Sequence, residues 1–551
     1  MSKTKLNDLN DDKPTAVKNA PETLRDDPFA DTKKIISEDV PTGVDRRSFL
    51  IRSAVVGAAA VMMGRNVSAA DRTYEAVKSM PAPLSYGLNV HRAGTGPIMT
   101  LSDEFYKVGP GPSSSHTIGP MRITYDFYQR ATKLPAAQLD TATKHQVNLF
   151  GSLSATGKGH GTERAALAGL IGMKPATVDP LFLDGLRDKP NQSFQVKLGK
   201  GITVTLKDII YDAVKGDFHH QNTMTVKLLA GDKVLLEQEY YSVGGGFIEW
   251  KGYTPPKKNA PKYPFETMKE LRAHADSNKM SIGQVMLANE MAISGKTAEQ
   301  VNAFIDEIIN AMAATVKSGL SMPEDGVLPG PIQLKSKAAT VFKRAMDDTY
   351  AGDKAVGLLS AAAIAASEEN ARGHLVITAP TGGSAGVMPS IVYALQEGRK
   401  ISREKLREGM LAALAVGYLC KHHATLAAAE GGCQAEIGVA SAMAAALIAT
   451  AHNADSRVVE NAAESALEHH LGLTCDPVAG YVQVPCIERC AFGAVKAWTA
   501  YAIASNEIAN NHRVGLDETV QALAQTAKDM NSKYKETSEA GLALSVALVE
   551  C

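Results

Sequence analysis

The chain has 551 residues, 45% of them hydrophobic and 21% charged, with 58 basic side chains against 59 acidic ones. Single hydrophobic cores stop growing at roughly 250–300 residues, so two or more domains are expected. The balanced charge lacks the basic excess of a nucleic-acid binder. Ample aliphatic residues exclude a disordered chain, and six cysteines are too few for a disulfide scaffold.

Residues 1–45, rich in Asp, Lys, Pro and Thr without apolar periodicity, read as a disordered leader. Arg46-Arg47-Ser48-Phe49-Leu50 follows, then an apolar run from Ala54 to Met63 and the small residues Val67-Ser68-Ala69-Ala70. Residues 46–70 thus resemble a twin-arginine export signal, the alternative being a short amphipathic or buried helix with a chance Arg pair. The resemblance implies the twin-arginine export machinery as a partner and a periplasmic location, or a cytoplasmic one if the signal does not function. The apolar run is too short to cross about 30 Å of hydrocarbon as a helix, so no stable membrane anchor is expected.

Residues 98–252 mix helical and strand patterns and predict an α+β N-terminal domain. Phe194 to Leu206 alternates as a strand pair broken at Gly199-Lys200-Gly201, and Met224–Leu229 and Val234–Tyr240 flank a hairpin turn at Ala230-Gly231-Asp232-Lys233. Residues 253–265, polar and proline-rich, read as a linker. Residues 266–551 predict an all-α C-terminal domain, with long helical patterns over Ala298–Val316, Ser402–His423 and Glu507–Met530. Ile437 to Ala451 is uncharged and rich in small residues, which predicts a helix buried on all sides.

The cysteines stand at 420, 433, 475, 486, 490 and 551, all in the helical half. Four readings compete: disulfides, a structural zinc site for which only Cys486 and Cys490 are close enough, buried free thiols as fits Cys420, and an iron–sulfur cluster held from dispersed loops. Pro and Gly around Cys475 and Cys486 favour loops, where ligands can converge.

Longer motifs go further. Gly111-Pro112-Ser113-Ser114-Ser115-His116-Thr117, Gly151-Ser152-Leu153-Ser154, Gly157-Lys158-Gly159-His160, His220-Gln221-Asn222-Thr223, Tyr241-Ser242-Val243-Gly244-Gly245-Gly246-Phe247, Glu369-Asn370-Ala371, the contexts of Cys433, Cys475 and Cys486, and Lys533-Tyr534-Lys535-Glu536-Thr537-Ser538 occur in order. Over Leu101 to Cys551 the chain resembles the iron–sulfur L-serine dehydratases. The resemblance implies a [4Fe–4S] cluster on Cys433, Cys475 and Cys486, with the terminal Cys551 on the fourth iron until substrate displaces it. It implies a first domain akin to the substrate-sensing domain of some phosphoglycerate dehydrogenases, and an active site between the domains. Cys490 stands where the family usually has Asn and is expected to be a spare thiol.

The implied reaction converts L-serine, a small amino-acid substrate, to pyruvate and ammonia. An open iron polarises the β-hydroxyl and a carboxylate oxygen as a Lewis acid, and a base takes the α-proton. His116 is the leading base candidate and His160 the second; a lone histidine is otherwise a surface or satisfied core residue. Ser113, Ser114 and Ser115 are expected to cap a helix starting near Ile118 and to bind substrate carboxylate there. The loop Thr381-Gly382-Gly383-Ser384 offers an anion nest. Glu436, Asp476 and Glu488 flank the ligands as orienting groups, at least one being a solvated loop carboxylate. A homodimer is the expected assembly, although no residue pattern specifies it.

Departures from the family lie close to this chemistry: Thr381-Gly382-Gly383-Ser384 replaces the usual Thr-Asn-Gly-Ala, Ala424–Glu430 replaces Ala-Ser-Ile-Ser-Gly-Ala-Glu, and Ala435 stands where Gly is usual. Lost side-chain hydrogen bonds would relax or redirect substrate preference. The alternatives are therefore the same elimination on L-threonine or L-cysteine, or a non-catalytic iron–sulfur sensor or amino-acid binding protein. No lysine motif accompanies the glycine loops, which disfavours a pyridoxal phosphate enzyme.

Overall fold

The computed structural model describes residues 95–212, 218–254 and 256–546; the leader, the twin-arginine segment and Cys551 lie outside the described residues. A single helical turn at Ser102–Phe105 leads into strand β1 (Lys107–Pro110), then a widened turn over Ser114–Ile118 that runs directly into helix α1 (Gly119–Ala131). Strand β2 (Lys144–Leu149), helices α2 (Ser152–Thr156), α3 (Thr162–Leu170) and α4 (Pro180–Asp188), and strands β3 (Phe194–Val196), β4 (Ile202–Val204), β5 (Ile209–Tyr211), β6 (Thr223–Ala230), β7 (Lys233–Ser242) and β8 (Ile248–Trp250) complete the N-terminal region.

Its five-stranded sheet has the order β5-β2-β6-β7-β8, antiparallel except for the parallel β2–β5 pair. Met224, Val226 and Leu228 alternate inward and pack with Phe127 of α1 and Leu167 of α3, so a period-two strand pattern meets helical faces. The expected hairpin forms as β6 and β7, and the broken strand pair as β3 and β4.

The segment at 253–265 is irregular yet tied down: Tyr263 N donates to Asn289 Oδ1 at 2.7 Å, and Lys258 Nζ pairs with Glu104. Helices α5 (Met268–Asn278), α6 (Ile282–Ser294) and α7 (Ala298–Leu320) each begin with a reciprocal cap, Thr267 with Glu270, Ser281 with Gln284 and Thr297 with Gln300. Apolar residues Val301, Ile305, Ile308, Met312 and Val316 give α7 its buried stripe. There follow α8 (Ala338–Asp347), α9 (Ala351–Arg372), β9 (Leu375–Thr378), α10 (Val387–Tyr393), α11 (Arg403–His423), α12 (Ile437–Ala451), α13 (Ser456–Glu468), α14 (Cys486–Asn506) and α15 (Leu516–Asp529).

Every residue of α12 is buried, and α11, α13 and α14 pack around it. Among the described residues no single helix is long and apolar enough to cross a membrane. The single helix expected over Glu507–Met530 does not form. The chain leaves α14 at Asn506, makes a short turn at Ala509–Asn511 and re-enters helix at Leu516. His512 is pinned there between Glu464 and Glu507, and a run of Asn, His, Val and Gly has too little helix propensity to resist it.

One pairing joins the two halves. Strand β1 pairs antiparallel with β9, with Lys107 opposite Thr378 and Pro110 opposite Leu375. It sets the serine turn after β1 beside the glycine loop after β9.

Candidate active site

The serine turn is held from several sides. Ser113 caps it, its Oγ accepting from His116 N at 3.1 Å, and Ile118 N donates to Ser113 O across five residues. Ser242 Oγ donates to the Ser115 carbonyl at 2.7 Å, Asn222 Nδ2 to the Ser242 carbonyl at 3.2 Å, and Asn370 Nδ2 to the Pro112 carbonyl at 2.7 Å. Three sequence motifs with no chemistry of their own therefore act by fixing this turn.

His116 and His160 are both buried, their ring centroids 4.6 Å apart. His116 Nδ1 lies 2.9 Å from Ser115 Oγ and its Nε2 3.1 Å from Ser152 Oγ. His160 Nδ1 faces the Thr156 carbonyl at 2.9 Å, so that nitrogen carries the hydrogen and the Nε2 lone pair is directed elsewhere. His160 Nε2 makes no hydrogen bond and opens onto a small cavity. Burial depresses His160 to about 4 and His116 well below its usual range, the latter also by repulsion from His160, so burial favours the neutral form of each ring.

The same cavity is lined by Ser113, Gly383, Cys433, Cys475, Cys486 and Glu536. Cys433 sits on a tight turn just before α12, Cys475 in the loop after α13, and Cys486 at the first position of α14. Ligand atoms of Cys433, Glu436 and Cys475 lie within 4.8 Å of one another, a buried group that could hold a metal ion. The hydrogen bond from Cys475 and the Arg489 guanidinium hold the Cys433 thiol below its usual range, while burial pushes Cys486 up.

Of the three carboxylates flanking the cysteines, Glu436 and Asp476 are buried, whereas Glu488 is exposed and pairs with Lys337. Cys420 lies inside α11 with its thiol pushed up to about 12 by burial. Cys490 donates to the Gly383 carbonyl at 3.3 Å and does not line the cavity.

In the loop after β9, Thr381 Oγ1 and Ser384 Oγ lie 3.0 Å apart, and the amides of both residues bond each other's hydroxyls. Those two amides are consumed within the loop, which narrows the expected nest to the glycines. A Cβ on Gly383 would lie 2.5 Å from Glu436 Oε2, so the close approach requires glycine. Ser114 Oγ, nearby and buried, has no hydrogen-bond partner.

Sequence reasoning assigned no role to Glu536. Its carboxylate is buried, with Oε1 3.6 Å from His116 Nδ1 and 3.7 Å from His160 Nε2, while Oε2 has no hydrogen-bond partner. Its backbone is left-handed at φ 60°, an arrangement costing a non-glycine residue roughly 1–3 kcal/mol. The segment is clamped to the cysteine loop: Cys475 N donates to Tyr534 O at 2.8 Å and Glu536 N to Cys475 O at 2.9 Å. Burial and the Cys433 thiolate raise Glu536 to about 8, and burial and Glu536 raise Glu436 likewise. The signal for Glu536 was its motif; its role needed the fold.

A second cavity, of about 760 Å³, lies on the other side of Ser152 and Gly151. Ala424, Thr425, Ala429 and Glu430 line it, so the segment that departs from the family pattern faces this space. His220 Nε2 meets Glu430 at 3.1 Å across the junction of the two halves.

Comparison with known proteins identifies the family. The serine dehydratase beta chain family matches residues 102–253, and the serine dehydratase alpha chain family residues 277–543. The L-serine dehydratase of Haemophilus influenzae is 37% identical over 457 residues, covering 80% of this chain and 98% of its own length. L-serine dehydratase 2 of Escherichia coli is 38% identical over 453 residues, covering 80% and 98%. The L-serine dehydratase of Streptomyces coelicolor is 37% identical over 458 residues, covering 81% and 99%. The chain belongs to the serine dehydratase family and carries the beta-chain and alpha-chain regions in one polypeptide.

Proposed function

We propose that the protein is an L-serine ammonia-lyase that converts L-serine to pyruvate and ammonia with a [4Fe–4S] cluster on Cys433, Cys475 and Cys486. The observation that carries the reading is the shared cavity: three buried thiols from three segments, none in a disulfide, face His160 and Glu536. This donor set fits a thiolate-held cluster, and the unpartnered Glu536 Oε2 and His160 Nε2 fit a site with a further occupant. When bound, the cluster supplies an iron with an open position, a Lewis acid for the β-hydroxyl and carboxylate of the substrate. Cys551 is proposed as the residue that would hold the remaining iron.

The chain's own residues supply the rest. His116, His160 and Glu536 form one proton-accepting unit: burial favours the neutral rings, and Glu536 faces both at 3.6 and 3.7 Å. His160 Nε2 is the ring nitrogen directed into the cavity. Ser113 of the serine turn and Gly383 of the loop at 381–384 line the cavity and form the wall on which the substrate carboxylate is oriented.

Anaerobic reconstitution with iron and sulfide, followed by pyruvate release from L-serine, tests the reading; a reconstituted cluster with no turnover of any β-substituted amino acid would leave the sensor or binding-protein alternative. L-Threonine and L-cysteine belong in the same assay, because the altered segment Ala424–Glu430 faces the larger cavity. Export is proposed on residues 46–70: Arg46→Lys with Arg47→Lys should retain the protein in the cytoplasm. A homodimer is proposed as the assembly, with sedimentation as its measure.

A further inference from the structure

Arg489 stands in the first turn of α14, three positions after Cys486. A helix N-terminus carries positive partial charge and disfavours a cation, so an arginine here needs a compensating partner. It has three. Nη1 lies 3.3 Å from Cys433 Sγ and 2.7 Å from the Thr474 carbonyl, and Nη2 lies 3.3 Å from Asp476 Oδ1. The planar fork is thus fixed on two sides while one arm points at a thiol.

Asp476, the clamp, is itself held. Its Oδ2 accepts from Leu542 N at 2.6 Å, and its Oδ1 from Thr474 Oγ1 at 3.2 Å. A Cβ on Gly541, whose φ is +60°, would fall 2.1 Å from Asp476 Oδ2, so glycine there lets the last described segment close on the carboxylate. Arg489 thereby has one rigid geometry. Among the described residues it is the only cationic side chain hydrogen-bonded to one of the three thiols. Its charge offsets the negative charge that thiolates at Cys433, Cys475 and Cys486 bring to one buried site.

We infer that Arg489 is a positioning residue whose guanidinium, clamped by Asp476 and the Thr474 carbonyl, donates to the Cys433 thiolate, raises the reduction potential of the cluster held there and protects it from oxidative loss of iron. This rests on the cluster reading above. A cation and a hydrogen bond beside the sulfur disfavour the more positive, oxidised state. The damaging reaction is transfer of one electron from [4Fe–4S]2+ to dioxygen, giving superoxide and [4Fe–4S]3+. The latter then sheds Fe2+ and leaves [3Fe–4S]+. Arg489 makes the first transfer less favourable.

The test uses the full chain, reconstituted anaerobically, as wild type, Arg489→Met and Arg489→Lys. Iron and sulfide content, a redox titration followed by electron paramagnetic resonance, and bleaching in air are measured. The expected result for Arg489→Met is a lower midpoint and about tenfold faster bleaching, the equivalent of about 59 mV for one electron. Arg489→Lys keeps the charge but not the fork, and should shift both in the same direction by less. Should Arg489→Met fail to fold, Arg489→Lys decides alone. Unchanged midpoint and bleaching in a variant with full iron content overturn the role of Arg489. Failure of the wild type itself to bind iron and sulfide overturns the cluster reading, and this inference with it.

Discussion

Glu536 Oε1 lies 3.7 Å from His160 Nε2, joining a carboxylate from the last segment of the chain to a histidine of the sheet-containing half. The contact exists because Tyr534 and Glu536 bond the backbone of Cys475, so one loop carries a cysteine and positions the carboxylate. Glu536→Gln keeps the size and removes the carboxyl that can take up and release a proton. The expected outcome is a fall in kcat of about 10²-fold with iron content unchanged, a magnitude ordinary for a lost acid–base group. Steady-state kinetics beside iron analysis check this, and full activity would remove Glu536 from the proton-accepting unit.

The two histidines can be separated by isotope exchange. His116→Gln and His160→Gln should each lower pyruvate release by about 10²–10³-fold. Only the variant lacking the first acceptor should also lose exchange of the substrate α-hydrogen with deuterated water. The open Nε2 of His160 makes His160→Gln the variant expected to lose it. Equal loss in both variants would mean that the rings act only as a pair.

The cysteines divide into two groups. Serine at 433, 475 or 486 should lower bound iron and sulfide after reconstitution, because these three thiols line the cavity. Cys490→Ser keeps a donor to the Gly383 carbonyl and should bind iron as the wild type does. Cys420→Ala should cost about 1 kcal/mol in stability, the value of a small buried group, and no iron. Iron loss on replacing Cys490 would contradict this division.

Gly383→Ala tests the close approach to Glu436. The added methyl would fall 2.5 Å from Glu436 Oε2, so the carboxylate must move. Activity should drop at least tenfold while far-ultraviolet circular dichroism stays the same; an active variant would show that Glu436 need not occupy its present place.

The contribution of two buried histidines to stability should fall in mild acid, opposite in sign to that of the raised carboxyls Glu436 and Glu536. Burial depresses His145 and His470 to about 4, against about 6.5 in an unfolded chain. Above the unfolded value both states are neutral and there is no penalty. As pH falls from about 6.5 toward 4 the unfolded chain takes up protons that the folded one refuses, at up to ~1.4 kcal/mol per pH unit for each histidine. Urea midpoints at pH 7.5 and pH 5 measure this. His145→Leu, in a position packed on Phe127, should flatten the dependence; the same slope in variant and wild type would refute the assignment.

Local pattern carried much of the architecture. The hairpin of β6 and β7 was written in alternating residues around Gly231, the fully buried α12 in its uncharged small residues, and the start of α11 in Ser402. The break at 507–515 was not legible, because its cause is the grip of Glu464 on His512, a contact between α13 and a connection distant in sequence. Likewise nothing local distinguished buried Glu436 and Asp476 from solvated Glu488: all three flank a cysteine, and only packing decides which face meets water.

By itself, then, the sequence determined most of the elements, the family and the chemistry-bearing residue types, since helix and strand periods and motif spacing depend on near neighbours. The tertiary structure alone decided their convergence. It pairs β1 with β9 so that the serine turn meets the glycine loop, sets Arg489 against Cys433, and delivers Glu536 to the two histidines. Those relations depend on which distant faces pack together. A one-dimensional pattern does not contain that information, because many arrangements bury the same apolar stripes and only one brings these polar groups to a common cavity.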